Sequence, residues 1–460
     1  MALLKIVSGE KPREIAVEVL GRRGEREFTE DLLERALASE SLPPVDRRLC
    51  QELVYGVVRW QATLDWLIAR KTGNRPQKTG LQNLLRLGLY QIFWLERIPN
   101  HAAVHVTVEL AKTRGFGPQA GFVNAVLRGY LREFDATCVR LNELKTSQPH
   151  VGFSHPEWLV ARWQARWGVA RTTELLASNN APPKTFARIN TIKIQPDKLL
   201  PIWRNENVEY DFVRHDWLED NLVFELKSHP PFHQLPSFQQ GYFYVQDPST
   251  LLAVRELGPQ PGEAVLDLCA APGGKLTYIA QLMGNQGRLI AYDTSAERLK
   301  LVAANCARMG VTCVESLGAP ASRRRVEEGA RNPLAGETPA LPGISQSALP
   351  TSHFDRVLVD APCSNTGVMR RRVDLRWRIS LPEIERLRRG QLELLRQAAA
   401  LVRPGGRIVY STCSLEPEEN RQVIDAFLGE ASNCNLEHEA ELLPFEKKVD
   451  GAYSARLKRA

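Results

Sequence analysis

Three apolar runs in the second half of the chain constrain its fold more than any other feature. The first, Val265-Leu-Asp-Leu-Cys-Ala-Ala-Pro-Gly-Gly-Lys275, turns through two glycines into a helical pattern that begins at Leu276. Two later runs, Val357–Ser364 and Ile408–Ser414, each end near a cysteine. Runs of this length predict buried strands, and a glycine turn before a helix exposes backbone amides. The first run therefore predicts either a ligand-binding turn or a tight turn alone.

Strand and helix patterns alternate over residues 237–460, which predicts a parallel, doubly wound α/β sheet. The expected strands are Val265–Leu268, Arg288–Tyr292, Val311–Glu315, Phe354–Val359 and Gly406–Tyr410. The expected helices are Leu276–Met283, Glu297–Met309 and Leu381–Val402. Asp293 closes the second strand, where a carboxylate commonly accepts hydrogen bonds from a cofactor ribose.

Residues 317–352 interrupt this alternation. They are rich in proline, glycine, alanine and serine and have almost no apolar periodicity. Lengthening a surface loop costs little closure entropy, so this composition predicts a disordered insertion within the sheet domain.

Residues 1–145 have the periodicity of helices throughout and predict a bundle of five to seven helices. Thr29 and Asp46 stand where N-caps are expected. Such a bundle serves either as a packing or docking module, or as an RNA- or protein-binding domain that uses exposed arginines such as Arg128 and Arg132.

Residues 146–236 predict a small α+β module. A helix is expected from His155 to Trp167, a strand over Lys184–Lys193 and a further helix over Pro196–Asn205. Trp158 and Trp163 lie among basic residues on the first helix. Such tryptophans either stack on bases or bury against a neighbouring domain, and the sequence favours neither reading.

Composition limits the class of protein. The 460 residues predict two or three domains, and no segment approaches the roughly 18 to 20 apolar residues of a membrane span. We expect a cytoplasmic protein with reduced thiols, because the eight cysteines lack C-x-x-C spacing. His101 and His105 lack a third ligand, so no metal site is expected. The net charge of +7 favours a polyanionic partner, although it also serves solubility.

The order and spacing of the three runs and the residues behind them resemble the RNA 5-methylcytosine methyltransferases. The matching segments are Asp267–Lys275, Asp360–Gly367 with Arg370, Arg371 and Trp377 behind it, and Ser411–Ser414 with Glu418, Glu419 and Asn420. Gly241–Ser249 resembles the segment that precedes the fold in that family. The helical N-terminus resembles the NusB-like domain that marks the RsmB (Sun) branch, which acts on small-subunit ribosomal RNA.

This resemblance implies an enzyme with three domains. A NusB-like helical RNA-binding domain would cover residues 1–145, a small α+β linker 146–236, and a Rossmann-like class I methyltransferase domain 237–460. S-adenosylmethionine would be the cofactor and 16S rRNA or a small-subunit particle the partner. The reaction would be methylation of cytosine C5 through a covalent intermediate between a cysteine and C6. We expect a monomer without DNA or membrane partners.

The family assigns roles to the two cysteines that end adjacent strands. Cys413 would add to C6, since a thiolate is nucleophilic near neutral pH and can leave again. Cys363 would assist loss of the C5 proton and release of the RNA. The reverse assignment stays open, because the related DNA enzymes use the Pro-Cys cysteine, and so does a structural role for both thiols. Asp360 would bind the cytosine edge, with Lys275 close by.

The remaining implied sites concern cofactor and RNA. The cofactor-binding residues would be Cys269, Ala270, Ala271, Pro272, Gly273, Gly274, Lys275, Asp293 and Asp360, with Glu315 in place of the usual adenine-binding acid unless that contact is lost. The RNA-binding residues would be Arg370, Arg371, Arg372, Arg376 and Arg378, unless they form only a solvated arginine face. A non-catalytic RNA-binding or ribosome-assembly protein, and a methyltransferase acting on another RNA such as tRNA, are the alternatives.

Overall fold

Amphipathic helices build the first of two units into which the described part of the chain divides. The structure is a computed structural model that describes residues 10–24, 27–318 and 354–460. The first unit contains its residues through Ala181 together with Met369–Arg378, and the second contains the others from Pro182 onward. The helices of the first unit are α1 Glu10–Arg22, α2 Thr29–Ala38, α3 Pro44–Arg59, α4 Gln61–Thr72, α5 Thr79–Trp94, α6 Asn100–Ala111, α7 Ala120–Arg132, α8 Phe134–Ser147, α9 Pro149–Gly152 and α10 Glu157–Asn180.

The helical expectation for the N-terminal region is confirmed, with more helices than the five to seven expected. Trp60 divides one helical stretch into α3 and α4. Helix α5 is buried over most of its length, and α3 approaches it at Gly56, where a Cβ would lie inside the ring of Tyr90. Close packing of this kind needs a glycine at the contact point. No helix in the described residues is both long and apolar enough to cross a membrane.

Both predicted N-caps are wrong. Helix α2 begins at Thr29 itself, whose hydroxyl is buried without a hydrogen-bond partner. Its backbone N–H instead donates to Asp374 Oδ2 at 2.5 Å. Helix α3 begins at Pro44, so Asp46 lies in its first turn, where the carboxylate still faces the positive end of the helix. A distant carboxylate therefore takes the place of a local cap at α2, which local sequence does not reveal.

Met369–Arg378, here called the arginine segment, belongs to the first unit although it lies far along the chain. The Arg376 side chain is completely buried. Its guanidinium donates to the carbonyl oxygens of Arg59, Ser154 and Asn179 and to Asn180 Oδ1, at 2.7 to 3.3 Å. Burial lowers the pKa of Arg376 to about 9. Carbonyl oxygens thus replace the water that a buried guanidinium loses.

Asp374 provides the second anchor of the arginine segment. Its carboxylate is buried and pairs with Arg23 at 2.8 Å. Val373 joins the hydrophobic core of the unit, and Trp377 Nε1 donates to Val58 O at 2.8 Å. Apolar burial, an ion pair and backbone hydrogen bonds together fix this segment within the helical unit.

Helix α10 continues well beyond the predicted end at Trp167. Its backbone is interrupted at Gly168, where φ is 78°, and the helix then runs on to Asn180. Trp163 is 1% exposed and lies 6.2 Å from the ring of His155. Trp163 is therefore a packing residue and not a base-stacking platform, whereas Trp158 is half-buried.

The second unit begins with a small α+β module at Pro182, and the helix expected at its start belongs to the first unit as part of α10. Its strands are β1 Thr185–Ile189, β2 Glu209–Phe212, β3 Val223–Ser228 and β4 Phe243–Val245, in the order β2-β3-β1-β4. Helix α11, Pro196–Asn205, has the predicted bounds. Its Trp203 is fully buried and packs edge-on against Phe224 and Phe243. A single tryptophan thus fills much of the space between this helix and the sheet.

A seven-stranded, mostly parallel sheet forms the rest of the second unit and confirms the predicted α/β fold. Its strands are β5 Ala264–Asp267, β6 Arg288–Asp293, β7 Val314–Gly318, β8 Phe354–Asp360, β9 Val402–Thr412, β10 Cys434–Leu442 and β11 Ala452–Arg459. Its order is β10-β11-β9-β8-β5-β6-β7, and only the pairs that involve β11 are antiparallel. The helices are α12 Pro236–Gln239, α13 Leu252–Leu257, α14 Gly274–Leu282, α15 Ala296–Met309, α16 Leu381–Leu401, α17 Arg421–Glu430 and α18 Pro444–Lys447.

Helices cover both faces of the large sheet. Leu276 and Val302, on α14 and α15, pack in one core, while Leu394 and Val423, on α16 and α17, pack in the other. From β5 the chain proceeds outward through β6 and β7, and then returns to the other side of β5 as β8. In parallel sheets, ligands bind at the carboxyl edge where the strand order reverses. The ends of β5, β8 and β9 therefore define the place for a site.

Two predicted boundaries in this sheet need correction. Strand β7 starts at Val314 and not at Val311, so Leu317 and Gly318 are paired strand residues rather than part of the insertion. The remaining residues of the predicted insertion, 319–352, lie outside the described residues. Strand β9 includes the predicted turn Arg403-Pro-Gly-Gly, because the register with β8 shifts there and accommodates extra residues.

Asp374→Asn is expected to destabilise the first unit by about 3 kcal/mol, because it leaves the largely buried Arg23 without its anionic partner. Urea unfolding, with hydrogen exchange of the α2 amides as the local report, measures this loss. Glu430→Gln, which removes an exposed partner of Arg396, serves as the control and should change little. Equal exchange protection of α2 in Asp374→Asn and the parent chain would show that the buried pair does not hold this helix.

Candidate active site

The glycine turn between β5 and α14 forms a narrow cradle at the carboxyl edge, where a side chain at Gly274 would be crowded. Gly273 has φ of 104°, a conformation that side chains disfavour. A Cβ on Gly274 would lie 3.1 Å from both Gln246 Oε1 and Tyr244 Cε1. The first N–H groups of α14 lie beside this space and give it a positive character. The predicted turn therefore has the form of a ligand-binding turn.

Arg188 supports this turn from β1. Its side chain is fully buried and donates to Gly274 O at 3.3 Å and to Thr277 Oγ1 at 2.9 Å. The guanidinium also lies 5.0 Å from the ring of Tyr278. Burial lowers the pKa of Arg188 to about 10. The sequence analysis did not identify this residue, although an arginine inside the apolar strand Phe-Ala-Arg-Ile was a signal.

Asp293 lies at the carboxyl end of β6, as predicted. It is 3% exposed, accepts a hydrogen bond from Ser295 N at 2.9 Å and lies 3.4 Å from Arg298 Nη1. Arg298 also donates to Ala271 O in the glycine turn at 3.1 Å. One arginine thus connects the turn with the acid at the next strand.

An ion pair joins the glycine turn to β8. Lys275 Nζ lies 2.7 Å from Asp360 Oδ2, and Ser411 Oγ donates to Asp360 Oδ1 at 2.8 Å. Burial alone would lower the pKa of Lys275, but the charge and hydrogen bond of Asp360 raise it overall. Lys275 therefore stays cationic, and Asp360 has a fixed orientation between two donors.

The two predicted catalytic cysteines face each other. Cys363 Sγ lies 3.3 Å from Cys413 Sγ, and Cys413 Sγ donates to Asn365 Oδ1 at 3.0 Å. Asn365 has φ of 58° and donates from Nδ2 to Cys363 O at 2.7 Å, which fixes its amide. The hydrogen bond with Cys413 and then burial raise the pKa of Cys363. Cys413 is the more exposed of the two.

Asp267 is a further acid at this edge that the sequence analysis did not assign. It ends β5, is 1% exposed and accepts a hydrogen bond from Cys269 N at 3.2 Å. Burial, followed by the negative charge of Asp360, raises the pKa of Asp267 to about 7. The signal in the sequence was a carboxylate inside the apolar run Val-Leu-Asp-Leu.

Glu315 does not lie at this edge, so its expected role with adenine is wrong. It stands near the start of β7, opposite Ile290, whereas Gly318 is the residue opposite Asp293. Its half-exposed carboxylate pairs with Arg288 at 3.1 Å, at the other end of the sheet. The error follows from the strand boundary, because β7 extends three residues beyond its predicted end.

The arginine segment also departs from its predicted role. Arg376 is buried among carbonyl oxygens, Arg370 is 6% exposed, and Arg378 lies 4.5 Å from the ring of Phe28 and donates to Gly24 O. These three side chains contribute to packing within the first unit, so their assignment to RNA phosphates is wrong for this structure. Arg371 is half-buried and Arg372 is exposed.

Comparison with known proteins identifies the family. Residues 254–458 match the family described as 16S rRNA methyltransferase RsmB/F, residues 10–132 match the NusB family, and residues 155–227 match an RsmF/B-like ferredoxin-like domain. A probable ribosomal RNA small subunit methyltransferase B from Bacillus subtilis (strain 168) is 36% identical over 91% of this chain and 88% of its own. The chain belongs to the RsmB/F family of methyltransferases.

Further relatives agree with this membership. Ribosomal RNA small subunit methyltransferase B from Klebsiella pneumoniae (strain 342) is 34% identical over 91% of this chain and 93% of its own. A methyltransferase homologue from Pyrococcus horikoshii has a solved structure with a TM-score of 0.55 and 27% identity, covering 68% of this chain and 97% of its own. NSun6 from Pyrococcus horikoshii, solved with SFG, shares the fold with a TM-score of 0.55 at 21% identity, over 66% of this chain and 98% of its own.

The family uses S-adenosylmethionine, and the cradle at the glycine turn fits that molecule. Gln246 Nε2 is buried beside Gly274 without a hydrogen-bond partner. The α14 N-terminus suits a carboxylate, and the buried Asp293 suits hydroxyl groups. Within the described residues, no group of three or more histidine, cysteine or acidic side chains is arranged to hold a metal ion, and His101 and His105 form no such group.

Asp267→Asn is expected to change how stability depends on pH. The pKa of Asp267 is about 7 in the folded chain and roughly 3.9 in the unfolded chain, so between these values the folded state binds more protons. Its contribution to the free energy of unfolding therefore falls as pH rises from about 4 to about 7. The variant should lack this fall. Urea unfolding of the parent chain and the variant across that pH range measures the free energy of unfolding of each.

Asp355→Asn is the matched control, because the pKa of Asp355 is shifted in the opposite direction. Burial opposes the shift, but hydrogen bonds from Ala264 N and Arg403 lower the pKa below its usual range. Asp355 therefore contributes stability at neutral pH that is lost on acidification. Parallel pH curves for Asp267→Asn and the parent chain would refute the buried-acid assignment.

Proposed function

We propose that this chain transfers a methyl group from S-adenosylmethionine to C5 of a cytosine in 16S rRNA, with Cys413 as the nucleophile. The pair of thiols 3.3 Å apart at the ends of β8 and β9 is the observation that carries the proposal. Cytosine C5 is a poor nucleophile, and addition of a thiolate at C6 converts it to an enamine-like carbon. A second thiol close to the first suits a reaction in which the bond to C6 must later break.

The proposed roles follow from the contacts of each cysteine. Cys413 is half-exposed, so a base can reach its Sγ, and Asn365 orients that thiol. After Cys413 gives its proton to water, its Sγ bonds to C6 and the ring electrons move to C5. C5 would then accept the methyl group as the bond between that group and the sulfonium sulfur breaks, which leaves a neutral thioether. Cys363, with its raised pKa, keeps its proton during addition. Once it has given that proton to water, its thiolate is a strong base that takes the C5 proton; the C5–H electrons then re-form the C5–C6 double bond, and Cys413 leaves C6 as a thiolate.

Asp360 and Lys275 support the base in this proposal. Because Lys275 and Ser411 each donate to a different oxygen of Asp360, that carboxylate keeps one orientation towards the cytosine edge. Charged groups that are already fixed in position stabilise a charge that develops in the transition state, because they need not reorient during the reaction. The same ion pair places the glycine turn beside the reacting base.

Cofactor placement is the next part of the proposal. S-adenosylmethionine, when bound, supplies an electrophilic methyl group. Residues 269–275 would surround its methionine portion, Asp293 would accept hydrogen bonds from its ribose, and Gln246 Nε2 would find a partner there. Glu315 takes no part in this proposal, since it faces the opposite end of the sheet.

RNA binding is proposed for the helical unit and the exposed part of the arginine segment. Arg372 is exposed and Arg371 half-buried, and both follow the loop of Cys363 within ten residues. A target base must leave its stack to reach the cysteines, and phosphate contacts elsewhere along the strand would hold the RNA. We further propose that the chain acts as a cytoplasmic monomer on free 16S rRNA or on a small-subunit particle.

Two cysteine variants test the assigned roles. The chain is incubated with unmethylated 16S rRNA and labelled S-adenosylmethionine, and label transfer and covalent protein–RNA adducts are both measured. Cys413→Ala should abolish transfer and form no adduct, whereas Cys363→Ala should accumulate an adduct because release is blocked. An adduct in Cys413→Ala instead would reverse the roles.

The parent chain is the reference that separates the other candidate functions. If the parent binds 16S rRNA but transfers no label to it, a non-catalytic binding or assembly protein is supported. Transfer to tRNA with none to 16S rRNA would support a different substrate. Cys434→Ala, which changes a buried cysteine at the start of β10, is the matched control and should retain transfer.

Arg372→Ala tests the RNA contact. If Arg372 binds a phosphate, the variant should bind all RNA sequences more weakly and reduce the slope of log affinity against log salt by about 1. Filter binding across a salt series measures the slope, and Arg371→Ala should act similarly. Arg396→Ala, on the exposed face of α16, is the control. An unchanged slope in both variants would exclude a phosphate contact at this position.

A further inference from the structure

Glu419 lies buried between the two loops that carry the cysteines, on a short helical turn before α17. Its carboxylate accepts four hydrogen bonds, all from buried donors. Oε1 accepts from Ser364 N at 2.8 Å and from Gln391 Nε2 at 3.1 Å, and Oε2 accepts from Ser414 Oγ at 2.5 Å and from Ser364 Oγ. A fully buried carboxylate is costly unless it is satisfied in this way.

The donors belong to the residues that directly follow the two cysteines. Ser364 follows Cys363 and Ser414 follows Cys413, and the two serine hydroxyls lie 3.1 Å apart. Glu419 therefore contacts both loops one residue away from each thiol. The Cys363 and Cys413 sulfur atoms stand next to this contact, at their separation of 3.3 Å.

The backbone around Glu419 is itself tied to the sheet. Tyr410 on β9 donates to Glu419 O at 2.5 Å, and Thr412 donates to Asn420 Oδ1 at 2.6 Å. Asn420 in turn donates to Ser414 O at 2.9 Å. The hydrogen bonds from β9 therefore fix the position of the Glu419 carboxylate and leave it little freedom to move.

We propose that Glu419 is a positioning residue that, through Ser364 and Ser414, holds the two cysteine loops together and sets the geometry of the thiol pair. It touches neither thiol. This inference rests on the proposed function of the cysteines as a catalytic pair. The claim that Glu419 sets the positions of the two thiols does not depend on that function.

Electrostatics supports the same role. The carboxylate of Glu419 adds to the effect of Cys413 and of burial in raising the pKa of Cys363. It therefore helps to keep Cys363 protonated. The four donors favour the charged form of Glu419, although burial raises its own pKa. The charge of this carboxylate would thus favour the protonated form of one thiol of the pair, Cys363.

Glu419→Gln tests the proposal, because glutamine keeps the size and can keep hydrogen bonds to the rotatable serine hydroxyls. The full-length chain is treated with iodoacetamide across a pH series, and mass spectrometry gives the alkylation rate of each cysteine. Removal of the charge should lower the pH at which Cys363 reacts and raise its rate at neutral pH by about 3- to 10-fold. Methyl transfer should show kcat lower by about 10- to 100-fold with KM for RNA nearly unchanged.

Ser414→Ala is the second variant and removes one anchor while leaving the carboxylate in place. It should lower kcat without moving the alkylation profile of Cys363, since the charge remains. Glu430→Gln, on the exposed end of α17, is the control and should match the parent in both measurements.

The outcomes separate this inference from the proposed function. A folded Glu419→Gln chain, with the parent's melting temperature, alkylation profile and kcat, would overturn the positioning role. The positioning role would also be overturned if kcat and melting temperature both fell while the alkylation profile stayed unchanged. A general loss of stability would then explain the lower kcat. If the parent transfers no methyl group, the proposed function fails, while a shifted alkylation profile would still support the link between Glu419 and the thiols.

Discussion

The ion pair of Lys275 and Asp360 is the interaction on which the geometry of the site depends. Lys275 lies in the first turn of α14 and Asp360 ends β8, so the pair ties the glycine turn to the strand that leads to Cys363. Withdrawing two charges from water is costly, and Ser411 offsets part of that cost by donating to the second oxygen of Asp360. The carboxyl ends of β5, β8 and β9 are thereby held as one surface.

Burial and this pair together act on a neighbouring acid. Burial, and then the negative charge of Asp360, raise the pKa of Asp267 to about 7, so this second carboxylate at the same edge resists ionisation. Asp293 lies one strand further away and has Arg298 beside it. Three acids at one edge of a sheet therefore have different environments, and each suits a different task.

The fold and most of the site could be predicted from the sequence because they depend on local periodicity and on motifs. The strand-turn-helix at Gly273, the cysteines and Asp293 all stand where the sequence placed them. What the sequence missed depends on contacts between distant residues. Thr29 is capped by Asp374, Arg188 supports a turn from another sheet, and the position of Glu315 depends on a strand end that no local signal marks.

The arginine segment shows why a charge pattern alone does not identify a nucleic-acid contact. Five arginines within nine residues satisfy the composition of a phosphate-binding surface. A guanidinium serves equally well as a buried donor, provided that enough carbonyl oxygens converge on it, and Arg376 meets that condition through residues more than 190 positions earlier in the chain. The same segment supplies Val373 and Asp374 to the helical unit. The residues that complete that unit therefore lie, in the sequence, between the two cysteine loops. The first unit is thus not a contiguous module of the sequence, and its stability depends on a segment whose neighbours along the chain carry the proposed chemistry.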